Sequence, residues 1–137
     1  MRIDVTFPDG LAVEAKVGDH HVRTDQPERH GGGDSAPPPF DLFLASVASC
    51  AGFYALRFCQ QREIDTTDLA VSMDVHRDET GKRVERMTIS VHLPEDFPEK
   101  YRPAILRSID HCTVKRHILE PPVFDVEIAE QAAAAVA

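Results

Sequence analysis

The chain has 137 residues, 42% apolar and 28% charged, with a formal net charge of −8. That length suits one domain, residues 1–137, with a core that needs no metal or disulfide staple. The negative charge argues against sequence-independent nucleic-acid binding, which needs a basic face to displace counterions.

Ile3 to Phe7 alternates apolar and polar residues at strand period, and Pro8-Asp9-Gly10 is a turn sequence. Leu11, Val13, Ala15 and Val17 resume the alternation, predicting a β-hairpin over residues 3–17. Gly18-Asp19 is a second turn signal, and His20 to Thr24 a short third strand. Asp25 to Pro39 carries four prolines, three glycines and no apolar period. It reads as a loop of functional or mobile length, with Gly31-Gly32-Gly33 as a flexible hinge. No Gly-Lys-Ser/Thr follows those glycines, so they are not a phosphate loop.

Phe40 to Glu63 is too long and apolar for a strand and is predicted to be a helix. Asp41 in its first turn and Arg57 and Arg62 near its end complement the helix dipole. Apolar residues surround most of its circumference, which belongs in the middle of a structure or at an oligomer interface. Arg57 interrupts the run before the ~18 uncharged residues of a membrane span. Leu69–His76 and Val84–Leu93 form a second hairpin pattern around Asp78-Glu79-Thr80-Gly81. Glu99 to His111 has helical spacing, Thr113 to Leu119 suits a further turn, and Val123 to Ile128 reads as a last strand. The tail Ala132 to Ala137 is expected to fray. The order predicts an α+β fold, with antiparallel sheets against helices.

Three cysteines, an odd number, point to a reducing compartment, and the N-terminus lacks a secretory pattern; we expect a cytoplasmic protein. Cys50 and Cys59 share the long helix, but nine residues at ~100° each place them on opposite sides. The helix rises ~13.5 Å between them, beyond the ~7 Å Cα separation that a disulfide tolerates. Cys59 therefore suits a buried packing thiol. The face of Cys50 carries Phe43, Ser46, Val47, Phe53, Tyr54, Arg57 and Gln61, and a guanidinium favours a reactive thiolate. Cys112 lies at a helix-to-turn junction in His111-Cys112-Thr113-Val114-Lys115-Arg116. If it meets Cys50, the pair suits a peroxidase in which one thiol attacks an O–O bond and the other condenses with the sulfenic acid. No His-x-x-x-His or Cys-x-x-Cys spacing occurs, so no metal site is expected. Gly-x-Ser-x-Gly is absent as well, leaving a serine hydrolase without support.

The run from Gly31 through Pro37-Pro38-Pro39-Phe40-Asp41 to Ser49-Cys50, with the later His111-Cys112-Thr113-Val114, resembles the OsmC/Ohr family. The resemblance covers nearly the whole chain and implies an OsmC-like fold, with antiparallel sheets around a long central helix in an intertwined homodimer. It implies a thiol-dependent peroxidase acting on organic hydroperoxides without a cofactor, with Cys50 peroxidatic, Cys112 resolving, and an external dithiol as reductant. Phe40, Phe43, Phe53 and Tyr54 would wall the organic group. Arg23, Arg57 or Arg116 would stabilise the thiolate, with Arg23 standing in for the arginine loop of typical Ohr proteins. The chain departs from those proteins where Phe40 replaces a glutamate, leaving Asp41 as the nearest acid, and where Thr113 replaces a proline. That departure motivates a rival reading, a redox-sensing or small-ligand-binding protein on the same scaffold. A metal-binding thiol site is a third.

Overall fold

A computed structural model of the protein describes residues 1–129. It is α+β, with two antiparallel sheets and three α-helices. The chain comprises two compact units, one of residues 1–43 with the C-terminal segment from Val123, the other Leu44–Pro122.

In the first unit, β1 (Ile3–Thr6), β2 (Val13–Val17) and β3 (His20–Thr24) form a meander in sequence order. The predicted hairpins set the register: Val5 lies opposite Ala15, and Val17 opposite His20. Only Gly18 and Asp19 separate that last pair, and Gly18 has φ +60°, the first central position of a two-residue hairpin turn that glycine fills without strain. Arg23 on β3 pairs with Asp9 of the first turn at 2.9 Å, which raises its pKa.

The loop from Asp25 to Pro39 is organised, not a hinge. Asp25 is 3% exposed and accepts hydrogen bonds from the N–H groups of Gln26, Gly33 and Ser35 and from Ser35 Oγ, at 2.7 to 3.1 Å. A single turn of 3-10 helix at Glu28–His30 ends at Gly31, and the Asp34 N–H returns to the Gln26 carbonyl at 3.1 Å. The glycines permit close packing: a Cβ on Gly32 would stand 1.9 Å from that same carbonyl oxygen.

The bonds to Asp25, led by the Ser35 hydroxyl, outweigh the desolvation of its oxygens and hold its pKa down at about 2, from 3.8. A depressed carboxylate stabilises the fold fully above its ordinary value and loses that contribution as pH falls through the folded value. Between pH 4 and 2, wild type should therefore lose stability more steeply than Asp25→Asn. Parallel acid titrations followed by circular dichroism check this, and equal slopes would show that Asp25 carries no such linkage.

The predicted strand Val123–Ile128 does not form. Residues 121–129 have no regular structure, and Val123, Phe124, Val126 and Ile128 are exposed. Alternation alone makes no strand, because a strand exists by pairing, and no described neighbour bonds to this one. The expectation for Ala132–Ala137 lies outside the described residues.

The predicted long helix is α1, Pro39–Gln60. By length and composition it could cross a membrane, yet one stripe packs as a core helix does. Val47, Ala51, Ala55, Phe58 and Cys59 are buried at helical spacing. In the second unit, Ala51, Ala55, Phe58 and Cys59 form a core with Phe97, Ile105 and Ile109. Burial all round the helix, expected from its sequence, is not complete in the single chain: Phe53 is 54% and Leu56 39% exposed. The helix ends with Glu63 at φ +54° and the Ile64 N–H returning to the Cys59 carbonyl. Gly52 is a helix-interior glycine with open space where a Cβ would go. Gly52→Ala should accordingly stabilise the protein by about 0.5–1 kcal/mol, read from urea denaturation; destabilisation would show the position to be occupied.

β4 (Ala70–Arg77) and β5 (Val84–His92) form the predicted second hairpin, with an irregularity at His76/Arg77. The expected helix over Glu99–His111 begins as a 3-10 turn and continues as α2, Arg102–Asp110. Pro103 near its start lacks only an N–H that has no partner there anyway. A third helix, α3, spans Thr113–Leu119.

Candidate thiol site

α2 stops at Asp110, and the His111 and Cys112 N–H groups close its last turn on Ser108 and Ile109. Cys112 then leaves the helical region (φ −49°, ψ 117°) and becomes the N-cap of α3. Its Sγ accepts the Lys115 N–H at 3.4 Å, as a serine hydroxyl does in a conventional cap. This short break turns the first N–H groups of α3 toward α1. Tyr54, one turn beyond Cys50, ties the junction down through its hydroxyl, 3.3 Å from Thr113 Oγ1. Phe53 packs edge-on to the Tyr54 ring, with centroids 5.5 Å apart.

The junction brings Cys50 and Cys112 within hydrogen-bonding reach, although 61 residues lie between them in the sequence. Burial pushes the Cys50 thiol up, but the Cys112 S–H and the N–H groups of Val114 and Thr113 outweigh it, so its pKa falls below the ordinary thiol value. Burial raises Cys112, and donating its proton to Cys50 raises it further. Of the two sulfurs, Cys50 is thus the more acidic and Cys112 the one that holds its proton more tightly. Cys112 is almost wholly enclosed at 1% exposure, whereas Cys50 is only half-buried. A reagent that reaches the pair therefore meets Cys50 first.

Cys59 behaves as its helical phase predicts. It is fully buried, and burial raises its pKa with partial relief from Arg62. The Arg62 guanidinium is engaged 3.7 Å above the Phe58 ring.

Among the described residues of this unit, the groups that lower Cys50 are the Cys112 thiol and the N–H groups of Val114 and Thr113, and Arg57 and Arg116 are not among them. The Lys115 ammonium forms an ion pair with Asp110. In the other unit Arg23 is engaged by Asp9, Asp41 is exposed in the first turn of α1, and the Phe40 and Phe43 rings lie 5.6 Å apart. Among the described residues, no three His, Cys, Asp or Glu side chains gather as a metal site.

Sequence reasoning missed the capping role of Cys112 and the Tyr54–Thr113 contact. The first had a signal, since a small polarizable side chain followed by Thr-Val-Lys-Arg suits a helix start, but cysteine is an unusual cap. The second had none, because it depends on two elements meeting.

The family model for OsmC-like proteins matches residues 31–127, a span that contains both cysteines of the pair. No curated protein matches the chain by sequence. Among solved structures, the fold is similar to one from Psychrobacter arcticus 273-4 described as an osmotic stress induced and detoxification response protein. That likeness has a TM-score of 0.69 at 22% identity, over 83% of this chain and 85% of that one. It is also similar to an organic hydroperoxide resistance protein OsmC from Legionella pneumophila. There the TM-score is 0.53 at 17% identity, over 85% and 87% of the two chains. At these identities the structural likeness establishes the fold.

Proposed function

Because the chain belongs to the OsmC family, we propose that it is a thiol-dependent peroxidase that reduces organic hydroperoxides through Cys50 and Cys112. The carrying observation is the contact between the two sulfurs with opposite shifts in acidity, the more accessible thiol made more acidic beside an enclosed partner made less so. The Cys50 thiolate attacks the outer oxygen of the hydroperoxide, the O–O bond breaks, and the alkoxide takes a proton and leaves as an alcohol. Cys50 becomes a sulfenic acid. The Cys112 sulfur displaces its hydroxyl as water, and the Cys50–Cys112 disulfide forms. An external dithiol then returns both thiols. One hydroperoxide and two thiols give one alcohol, one water and one disulfide.

In this reading Phe40, Phe43, Phe53 and Tyr54 wall the organic group, Arg23 exchanges its ion pair with Asp9 for the departing alkoxide, and Asp41 is the acid at the family position. The protein is a cytoplasmic homodimer. The exposed apolar residues Phe53 and Leu56 on α1, and Phe124, Val126 and Ile128 near the C-terminus, support a partner surface.

A second reading, a redox sensor with little turnover, draws on the absence of Arg57 and Arg116 from the groups that act on Cys50. Steady-state assay with an alkyl hydroperoxide and a dithiol separates the two. Cys50→Ser should abolish turnover, and Cys59→Ser should leave it nearly intact. Equal activity in wild type and Cys50→Ser would sink the peroxidase reading, and a single oxidation without recycling would favour the sensor.

A further inference from the structure

Cys50 and Tyr54 stand four residues apart on α1, so their side chains leave the same face of the helix one turn apart. Thr113, the first residue of α3, meets both. Its N–H acts on the Cys50 sulfur, and its Oγ1 lies 3.3 Å from the Tyr54 hydroxyl. Its carbonyl pairs with His117 Nδ1 at 2.8 Å; a carbonyl only accepts, so that ring nitrogen carries the hydrogen. One residue thus bridges the reactive sulfur and the phenol, and is itself held from the next turn of α3.

The Tyr54 end of this bridge is fixed independently of the thiols. Its ring packs against the core of the unit and meets Phe53 edge-on. A seven-residue helix is too short to persist without tertiary support. The reach of the Thr113 and Val114 N–H groups to Cys50 therefore depends on what anchors the start of α3 to α1. The Tyr54 hydroxyl supplies such an anchor beside the sulfurs. Thr113 is also where the chain departs from the proline of typical Ohr proteins, a residue with neither an N–H nor a hydroxyl.

We propose that Tyr54 and Thr113 are the positioning pair of the thiol site: their hydroxyl contact holds α3 against α1 so that the Thr113 and Val114 N–H groups stay aimed at the Cys50 sulfur. The inference rests on Cys50 being the reacting thiol of the cycle proposed above. An N–H aimed at sulfur favours the thiolate over the thiol, and the bond weakens steeply as its angle opens. Loss of either hydroxyl lets the start of α3 drift, so Cys50 ionises at higher pH. At 3.3 Å the contact is long for a hydroxyl pair and it is exposed, so the effect of losing it is modest.

The test follows alkylation of Cys50 by iodoacetamide against pH in the reduced protein, read at that residue by peptide mass spectrometry. Tyr54→Phe and Thr113→Val should each raise the midpoint by about 0.5 pH unit, a roughly threefold loss of rate well below it. The double variant should move it no further than either single one, because both remove the same contact. Thr113→Ser, which restores the hydroxyl, should return the midpoint to the wild-type value. Thr113→Pro also deletes the N–H and should raise it by about 1 unit or more. Proline suits a first helical position, and Cys112 before it already has an extended ψ of 117°. Within four residues of the pair, the charged and titratable side chains besides the thiols are Arg57, Asp110, His111, Lys115, Arg116 and His117, and every variant keeps them. Thermal melts run alongside. A lower melting temperature with an unchanged midpoint assigns the contact to stability alone and overturns the proposal, as do additive shifts in the double variant. Tyr54→Phe removes one oxygen from a half-buried ring and decides the matter even where a Thr113 variant does not fold. Alkylation needs no hydroperoxide, so absence of turnover in wild type overturns the peroxidase reading and leaves these midpoints standing.

Discussion

Cys112→Ser should consume one equivalent of alkyl hydroperoxide per chain in the absence of reductant and finish as a sulfenic acid on Cys50. Wild type should consume the same equivalent and finish as a disulfide. The substitution isolates the resolving step because serine can keep what Cys112 does for the backbone. A serine hydroxyl is among the preferred N-caps, so it can take the Lys115 N–H that Cys112 Sγ now accepts at 3.4 Å. The N–H groups of Thr113 and Val114 then continue to face Cys50. What disappears is the second sulfur. With hydroperoxide in excess, the unresolved sulfenic acid advances to sulfinic acid, which a dithiol does not reverse, and the variant dies within a few turnovers. Mass spectrometry after trapping with a 1,3-dione reads both outcomes. A disulfide involving Cys59 in the variant, or sustained turnover at the wild-type rate, would remove Cys112 from the mechanism.

Gly32→Ala should cost about 3 kcal/mol of stability, toward the upper end for overpacking. The new methyl would stand 1.9 Å from the Gln26 carbonyl oxygen and 2.5 Å from its carbon, and no side-chain rotation relieves a clash with backbone. Separation of the two strands of the loop would break the Gly32–Pro27 and Asp34–Gln26 hydrogen bonds and disturb the three N–H groups around Asp25. Gly33→Ala offers the comparison, since its Cβ would meet only the Asp25 Oδ2 at 3.2 Å, the end of a side chain that can give. Urea denaturation of the two variants should rank them clearly. A cost for Gly32→Ala below that for Gly33→Ala would show that the loop is not packed in this way.

The elements legible in the sequence were those whose signal is local. Period-two alternation located β1, β2, β4 and β5, and the length and apolarity of the run after Pro39 located α1. Angular phase alone separated Cys50 from Cys59, and the structure buries the one expected to be inert. Features set by distant partners were not legible. The order in the loop depends on one carboxylate meeting an N–H ten residues away, at Ser35. Val123–Ile128 has the alternation of a strand but no neighbour among the described residues to make it one. Guanidinium groups are visible in a sequence, whereas the N–H groups of Thr113 and Val114 that act on Cys50 become visible only when Cys112 interrupts the chain between α2 and α3.

The complete burial of Cys59 gives every molecule a built-in reference thiol. An alkylating reagent reaches Cys50 in the folded protein, but it reaches Cys59 only when the core of Ala55, Phe58, Phe97 and Ile105 parts. The ratio of label at the two positions is independent of protein concentration and reagent quality. Followed over time in a crude extract, modification of Cys59 reports how often the whole unit opens, without a denaturant and without purification.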